Sequence, residues 1–218
     1  MVIYIKKIFY HIILLFIIGG ILGLIFESIE YLLKHGYLID KRGLWICPLK
    51  PIYGIGLILL SLLYKIKDKN FILILLVGFI IGSIYEFVAS LFQEYIFHTS
   101  TWDYKNKEFN IKGKIALSYS LIWALFTLIW LKFGLNIYLK LYNKIINFKN
   151  INIVFIFLAI ILLIDITLTS LITIRYSERK RNIEATNYVD IYIDKYINND
   201  DFEKKFPNLK VKTYSKIE

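Results

Sequence analysis

Three acidic side chains stand inside long apolar runs, and these residues are the best suited to chemistry in the sequence. Glu27 lies near the end of the first run, Glu86 past the middle of the third, and Asp165 near the centre of the last. An ionised carboxylate in hydrocarbon costs several kcal/mol unless it is paired, so such residues usually face a bundle interior or a water-filled cavity. We expect Glu27 and Glu86 to line a polar cavity that binds a proton or a cation. Asp165 needs a partner from another helix, such as Lys50 or a tyrosine.

Each acid also has an interpretation without a transport role. Glu27 could cap a shorter helix at the lipid headgroups, Glu86 could bond a backbone group or a tyrosine hydroxyl, and Asp165 could serve packing specificity. Acids inside membrane segments are functional candidates by default, so the functional interpretation is favoured for Glu27 and Glu86.

The composition predicts an all-α protein, a polytopic helical bundle in a membrane. Apolar residues make up 57% of the 218 residues, and the mean hydropathy is +0.57, which excludes a soluble globular enzyme. The single cysteine, Cys47, excludes an internal disulfide. The chain has no P-loop motif for binding ATP, and neither a cofactor nor a metal is expected.

Apolar runs of bilayer-spanning length predict about five transmembrane helices. The predicted spans cover residues 8–33, 44–64, 71–97, 115–131 and 153–174. The first run is longer than the core of a signal peptide, so we treat it as a retained span. Residues 1–174 are therefore predicted to form a transmembrane domain, and residues 175–218 a polar, basic C-terminal tail.

Two segments of the sequence resemble each other and predict an internal repeat. The pattern Gly19-x3-Gly23-x3-Glu27 recurs 59 positions later as Gly78-x3-Gly82-x3-Glu86. A second pair of matching blocks follows in the same order, around 51–54 and 121–124. Because each unit (about 8–64 and 71–131) holds two spans, the units form a parallel repeat, with the fifth span 153–174 added to it. The four glycines predict close helix packing that positions the two acids.

The links between spans carry further polar candidates. Pro48 and Pro51 predict either a broken, re-entrant start of the second span or a helix that begins at Pro51. The link 98–114 contains Trp102, Asp103 and Asn110, which could fold it over the acids as a lid; an interfacial aromatic belt would also explain Trp102.

The net charge of +10 does not indicate a nucleic-acid partner, because the basic residues lie mostly in short links, where lipid phosphate and membrane topology explain them. Membrane lipids are the expected partners, and the plasma membrane is the expected location. Basic residues are nearly balanced between the two sides of the predicted bundle. The cluster that follows the last span, at 175–181, favours a cytoplasmic tail.

At these same positions the chain resembles the CmpB-like family of ABC-transporter permeases, a group of small bacterial membrane proteins. The matching blocks are Glu27, Arg42-Gly43, Pro51-Ile52-Tyr53-Gly54, Tyr85-Glu86, Trp102-Asp103-Tyr104, Asn110-Ile111-Lys112-Gly113, Ser120-x2-Trp123, Asp165 and Pro207-Asn208. The resemblance covers the chain from about residue 19 into the tail. It implies a membrane permease that works with a separate ATPase subunit.

Three functions follow as hypotheses. The leading one is a permease, expected to form a homo-oligomer because four core spans are few for an enclosed pathway, with Glu27 and Glu86 binding a small cationic or polar substrate. The second is an intramembrane enzyme for lipid substrates, in which the acids, Asp103 and Arg42 do acid–base work. The third is a membrane scaffold whose tail recruits a partner.

Overall fold

The structure, a computed structural model, describes residues 2–39 and 41–212. Its elements follow one another as α1 (Val2–His35), α2 (Pro51–Leu62), α3 (Phe71–Phe97), β1 (Thr99–Ser100), α4 (Leu117–Ile129), α5 (Leu135–Ile145), α6 (Ile151–Lys180), α7 (Tyr188–Tyr196), α8 (Asn199–Lys205) and β2 (Lys210–Val211). The predicted all-α membrane bundle is confirmed. Residues 213–218 of the predicted tail lie outside the described residues.

Four helices are long and apolar enough to cross a membrane, and a fifth apolar helix is shorter. The long ones cover Lys6–His35, Phe71–Phe97, Leu117–Ile145 and Ile151–Lys180, and the short one covers Pro51–Ile66. The predicted second span therefore began too early. Pro51 occupies the first turn of α2, where its missing N–H is tolerated, and the apolar residues before it are not helical.

The predicted fourth span ended too early. A π-helical segment, Trp130–Gly134, joins α4 to α5, so one helix runs to Ile145. The mean hydropathy falls along α5 because lysines occur there among the apolar residues. Leu135, Tyr138 and Tyr142 of this helix are nevertheless buried against the bundle. This amphipathic pattern marks a helix that is partly covered by protein rather than a loop.

Glycines allow close packing in both helical hairpins. A Cβ on Gly19 would lie 2.5 Å from the carbonyl oxygen of Tyr53, and a Cβ on Gly78 would lie 2.5 Å from Thr127. Gly23 and Gly82 lie directly against the side chains of Tyr53 and Trp123. Each glycine removes a side chain where the neighbouring helix approaches, so α1 packs on α2 and α3 on α4 at short range.

The segment before α2 lies deep in the bundle. The amide of Lys50 donates to the carbonyl of Gly20, 3.2 Å away, and Gly20 is about 22 Å below the end of α1 at 1.5 Å per residue. The connection between α1 and α2, described at residues 36–39 and 41–50 and called loop A here, therefore descends far into the bundle before the chain turns helical. The connection between α3 and α4, residues 98–116, is called loop B.

The tail folds back over both loops. Trp45 of loop A stacks against Phe202 and Phe206, at 6.4 and 6.1 Å between ring centroids. Strand β2 pairs antiparallel with β1 at the start of loop B. The tail thus contacts the two loops at once and holds them in place.

Ion pairs fasten α7 to the last turns of α6. Arg175, with a 4% exposed side chain, lies 2.7 Å from Asp194, and Arg179 lies 2.6 Å from the same carboxylate. The hydrogen bond from Arg175 and that from Arg179 lower the pKa of Asp194 below its usual range, although partial burial opposes this shift. Asp194 is therefore ionised at neutral pH and anchors the tail.

Gly82→Ala should lower the free energy of unfolding in detergent by about 1–3 kcal/mol, because the added methyl group has to displace Trp123. The measurement is thermal or denaturant unfolding of the purified protein. Ile80→Ala, on the exposed face of the same helix, is the control and should change stability little. Equal stability of Gly82→Ala and the unaltered protein would contradict the close packing described above.

Asp194→Asn should loosen the tail, since Arg175 and Arg179 lose their shared anion at a cost of about 1.5–3 kcal/mol. Because folding lowers the pKa of Asp194, this contribution is fully present above the unfolded value of about 3.9 and is lost as pH falls through the lower folded value. Hydrogen exchange across residues 183–211 measures the effect, with Asp200→Asn as the exposed control. Tail protection that fades between pH 8 and 5 in the unaltered protein would count against this role.

Candidate functional site

The carboxylate of Glu86 is the centre of a buried polar cluster. Glu86 is 4% exposed, and its two oxygens accept hydrogen bonds from the hydroxyl of Tyr104 and from the indole N–H of Trp123, each at 2.8 Å. Both donors are neutral, so they hold the carboxylate in place without compensating its charge. The predicted alternative, a bond to a tyrosine hydroxyl, is part of the arrangement.

Glu27 is paired with Lys50, a residue that the sequence had suggested as one possible partner of Asp165. The ammonium group of Lys50 lies 2.6 Å from Glu27, and Lys50 is 6% exposed. Lys50 occupies the N-cap of α2, which brings its side chain up towards the acid on α1. Because both groups are removed from water, the pair compensates two charges that would each be unfavourable alone.

Tyr53 connects the two acids. It lies within electrostatic range of both Glu27 and Glu86, and its ring stacks on Trp123 at 6.1 Å between centroids. Phe26 and Phe126 pack beside Tyr53 at 6.2 and 6.5 Å. The carboxylates of the two hairpins therefore face a common layer of aromatic rings.

Loop B covers Glu86 through Tyr104. Tyr104 is 9% exposed, and its ring stacks on Tyr119 of α4 at 4.2 Å between centroids. The hydroxyl of Tyr119 in turn donates to Glu30 over 3.4 Å. Burial raises the pKa of Tyr104 far above its usual range, and the charge of Glu86 acts in the same direction. Tyr104 consequently stays a protonated donor to Glu86.

Asp103, Asn110 and Trp102 shape loop B and do not contact Glu86. Asp103 accepts from the amide of Lys105 at 3.0 Å and lies 3.5 Å from Lys212 of the tail. Asn110 accepts from the amide of Gly113 at 3.0 Å, and the indole of Trp102 donates to a backbone carbonyl at 3.1 Å. These three side chains fold the loop that carries Tyr104, which makes their role a positioning one.

The backbone of Arg42 lies outside the cluster, where its amide donates to the carbonyl of Lys205 in the tail over 3.3 Å.

Asp165 holds the deepest part of loop A. It is fully buried, and its oxygens accept from the backbone amides of Ile46 and Cys47 at 2.9 and 2.6 Å. Thr169, one turn further along α6, accepts from the amide of Trp45 at 2.8 Å. The partner expected for Asp165 was a lysine or a tyrosine; the partner found is backbone, because a non-helical segment at this depth has amides that need acceptors.

A second buried ion pair stands closer to the end of α3. Lys114 of loop B, 8% exposed, contacts Glu94, and Lys212 of the tail lies 3.7 Å from the same acid. Glu94 is two turns beyond Glu86 on one face of α3. Loop B and the tail are thus both tied to the helix that carries Glu86.

Apolar side chains surround this cluster on the outside of the bundle. Ile25 and Ile29 flank Glu27 and are 49% and 52% exposed, and Ile84 and Val88 flank Glu86 and are 57% and 53% exposed. Such a surface fits lipid tails. Exposed apolar side chains therefore flank both acids on the outside of the bundle, while Glu86 itself is buried inside it.

Pro48 and the four glycines serve packing in this arrangement. Pro48 lies in the non-helical part of loop A, next to the amides that Asp165 binds.

Among the residues that the structure describes, no group of three His, Cys, Asp or Glu side chains is placed to hold a metal ion. What the cluster can do chemically is exchange a proton or bind a cation at a carboxylate.

Sequence reasoning missed five members of the cluster: Tyr104 and Trp123 as donors to Glu86, Lys50 as the partner of Glu27, Tyr119 beside Tyr104, and Tyr53 between the acids. Tyr53 and Tyr104 stood in the blocks quoted for the family resemblance, although no role was given to them. Lys50 carried a signal of its own, since a lysine between two prolines in an apolar stretch needs an acidic partner.

Asp165→Asn should release loop A, because an amide group offers one acceptor oxygen where the carboxylate offers two. We expect a loss of about 1.5–3 kcal/mol in the local opening free energy, and hence maleimide labelling of Cys47, the only cysteine, that is about 10- to 100-fold faster. Ser170→Ala on the same helix is the control. Unchanged labelling of Cys47 in Asp165→Asn would show that other contacts hold the loop.

Comparison with known proteins gives one match. The model of a family described as "Putative ABC-transporter type IV" matches residues 14–170. Neither the curated proteins nor the solved structures include a match to this chain.

Proposed function

The chain belongs to the family described as "Putative ABC-transporter type IV", and from that membership we propose that it is a permease-type subunit that binds a proton or a small cationic substrate at Glu86. The single observation that carries this proposal is the neutral hydrogen bonding of Glu86. A nearly fully buried carboxylate accepts from Tyr104 and Trp123, and these donors leave its negative charge available to a cation.

Glu27 has a different role in the proposal. Its ion pair with Lys50 satisfies its charge, so Glu27 fixes the aromatic layer around Tyr53 rather than capturing the substrate. The pair also places a positive charge beside Glu27, one of the two acids that lie within electrostatic range of Tyr53. A cation that reaches Glu86 is therefore bound by that acid alone. The positive charge of Lys50 disfavours movement of the cation from Glu86 towards Glu27.

Access to Glu86 requires loop B to move. Tyr104 bonds the carboxylate directly, and loop B is tied down by Lys114 on Glu94 and by the pairing of β1 with β2. We propose that loop B is the lid of the site and that the tail latches it. Lid motions of this kind gate substrate entry in many proteins.

The proposal includes partners. We propose that the two hairpins, α1–α2 and α3–α4, are copies of one parallel repeat, supported by the matching positions of Tyr53 on Gly23 and Trp123 on Gly82. Four long helices and one short one are few for an enclosed pathway, so a homo-oligomer or a second membrane subunit completes it. A separate ATPase would dock on loop B and the tail, with that side facing the cytoplasm of a cell whose plasma membrane holds the protein.

The enzyme hypothesis gains no support from the same contacts. It needs Asp103 beside the acids, and Asp103 is instead engaged with Lys105 and Lys212. Asp103 positions the backbone of loop B.

Glu86→Gln should weaken cation binding, because the amide keeps the size of the side chain and removes the charge. The measurement is thermal unfolding of the protein in nanodiscs, titrated with protons and with ammonium, methylammonium and tetramethylammonium chloride. The unaltered protein should be stabilised by at least one of these cations, and Glu86→Gln should lose at least about tenfold in affinity, the equivalent of 1.4 kcal/mol.

The matched control is Glu184→Gln, an exposed carboxylate in the link between α6 and α7. It should keep the cation response of the unaltered protein. An unchanged response in Glu86→Gln would remove this carboxylate from the site. Failure of the unaltered protein to respond to protons and to every cation tested would refute the proposal itself.

A further inference from the structure

Helix α7 presents an unusual outer face. Its three tyrosines, Tyr188, Tyr192 and Tyr196, are spaced four residues apart and are 92%, 66% and 59% exposed. They share one side of the helix, because residues four apart lie one above the other. We call these three residues the tyrosine stripe. Val189 and Ile191, at 48% and 56% exposed, extend it on either side.

The acidic side chains of α7 are engaged with the protein. Asp194 pairs with Arg175 and Arg179, and Asp190 accepts from the side-chain amide of Asn187 at 2.8 Å. Ile193, 4% exposed, belongs to the small apolar core of the tail. The outer face therefore carries aromatic and aliphatic groups with one basic residue, Lys195, whose ammonium lies 5.2 Å from the ring centre of Tyr196.

A helix that faces water normally turns its acids outward and its apolar residues inward. In α7 the outer face is aromatic and aliphatic, while Asp194 lies at the contact with α6. The outer face consequently needs a partner that accepts phenol rings, aliphatic side chains and one ammonium group together.

The position of α7 indicates which partner this is. Its anchor residues contact α6 at Arg175 and Arg179, in the last two turns of a helix long enough to cross a membrane. Lower on α6, Leu163 and Leu171 are 67% and 40% exposed, as expected for a lipid-facing surface. Helix α7 therefore packs at the end of α6 where its apolar sequence gives way to the basic residues Arg175, Arg179 and Lys180.

We propose that α7 lies in the headgroup region of the bilayer, with the tyrosine stripe on anionic phospholipid. Tyrosine favours this region because its ring enters the acyl boundary while its hydroxyl bonds to headgroups and water. Lys195 lies beside the stripe, where its ammonium contacts lipid phosphate. The bilayer then holds the tail from outside, while the ion pairs of Asp194 hold it from inside.

The test uses the full-length protein in nanodiscs of phosphatidylcholine and phosphatidylglycerol. In a Cys47→Ser background, an NBD fluorophore is attached through Tyr192→Cys or, as the control, through Lys204→Cys on the exposed side of α8. Both positions are exposed in the protein, so neither label disturbs the core. Quenching is measured with lipids that carry a nitroxide near the headgroup and, separately, with aqueous iodide.

We expect lipid nitroxide to quench the label at 192 at least threefold more than the label at 204, and iodide to show the reverse order. Iodide quenching at 192 equal to that at 204 would overturn the proposal, because the stripe would then face water. Shielding of the label at 192 from both quenchers would also overturn it, and would indicate a protein contact instead.

A second measurement tests the charge. Replacing phosphatidylglycerol by phosphatidylcholine should weaken nitroxide quenching at 192, and Lys195→Gln should remove that dependence on lipid charge. Quenching at 192 that is strong in both lipids and independent of Lys195 would overturn the part of the proposal that assigns anionic lipid. Neither residue belongs to the Glu86 site, so these outcomes are independent of cation binding there.

Discussion

Hydrocarbon cannot solvate an ionised group, and this constraint organises the whole chain. Every charged side chain that the structure places deep among the helices contacts a group of opposite charge or a set of hydrogen-bond donors. Lys50 meets Glu27, Lys114 meets Glu94, and Arg175 meets Asp194. In each pair one member belongs to a helix and the other to a loop, to a helix start or to the tail. Charge compensation is therefore also what fixes the irregular segments to the regular ones.

Backbone groups obey the same constraint. Loop A enters the bundle without helical structure, and its amides need acceptors at a depth where water is scarce. Asp165 supplies two of them and Thr169 supplies a third. A carboxylate in the middle of a membrane helix thus serves as an acceptor for a neighbouring peptide segment. The role of Asp165 differs from that of Glu86, whose charge is not balanced by a positively charged side chain within the described part of the chain.

Much of this arrangement could be predicted from the sequence, and the rest depended on contacts that a sequence does not display. The apolar runs predicted the helices, and the intramembrane acids predicted where polar side chains collect. The predicted second span began too early because the stretch before Pro51 is apolar although it is not helical, and the alternative of a helix that begins at Pro51 is confirmed. The end of α4 was missed because buried tyrosines and surface lysines in α5 average to a low hydropathy.

Partners were harder to predict than positions. Lys50 was expected, as an alternative to a tyrosine, beside Asp165, whereas its place at the N-cap of α2 directs it to Glu27. Tyr104 reaches Glu86 only because loop B folds over α3, which requires the turn built by Asp103 and Asn110 together with the tail. This contact between loop B and α3 depends on several weak local sequence patterns together, and no single residue predicts it.

The pairing of β1 with β2 has a consequence for how the protein is made. Thr99 is bonded across to Val211, a residue that the ribosome adds about 110 positions later, after α4, α5 and α6 have entered the bilayer. During that interval loop B lacks its pairing with the tail and depends on its own contacts, such as Lys114 on Glu94. The pairing of loop B with the tail therefore forms late, and a nascent chain arrested before residue 210 would lack this contact.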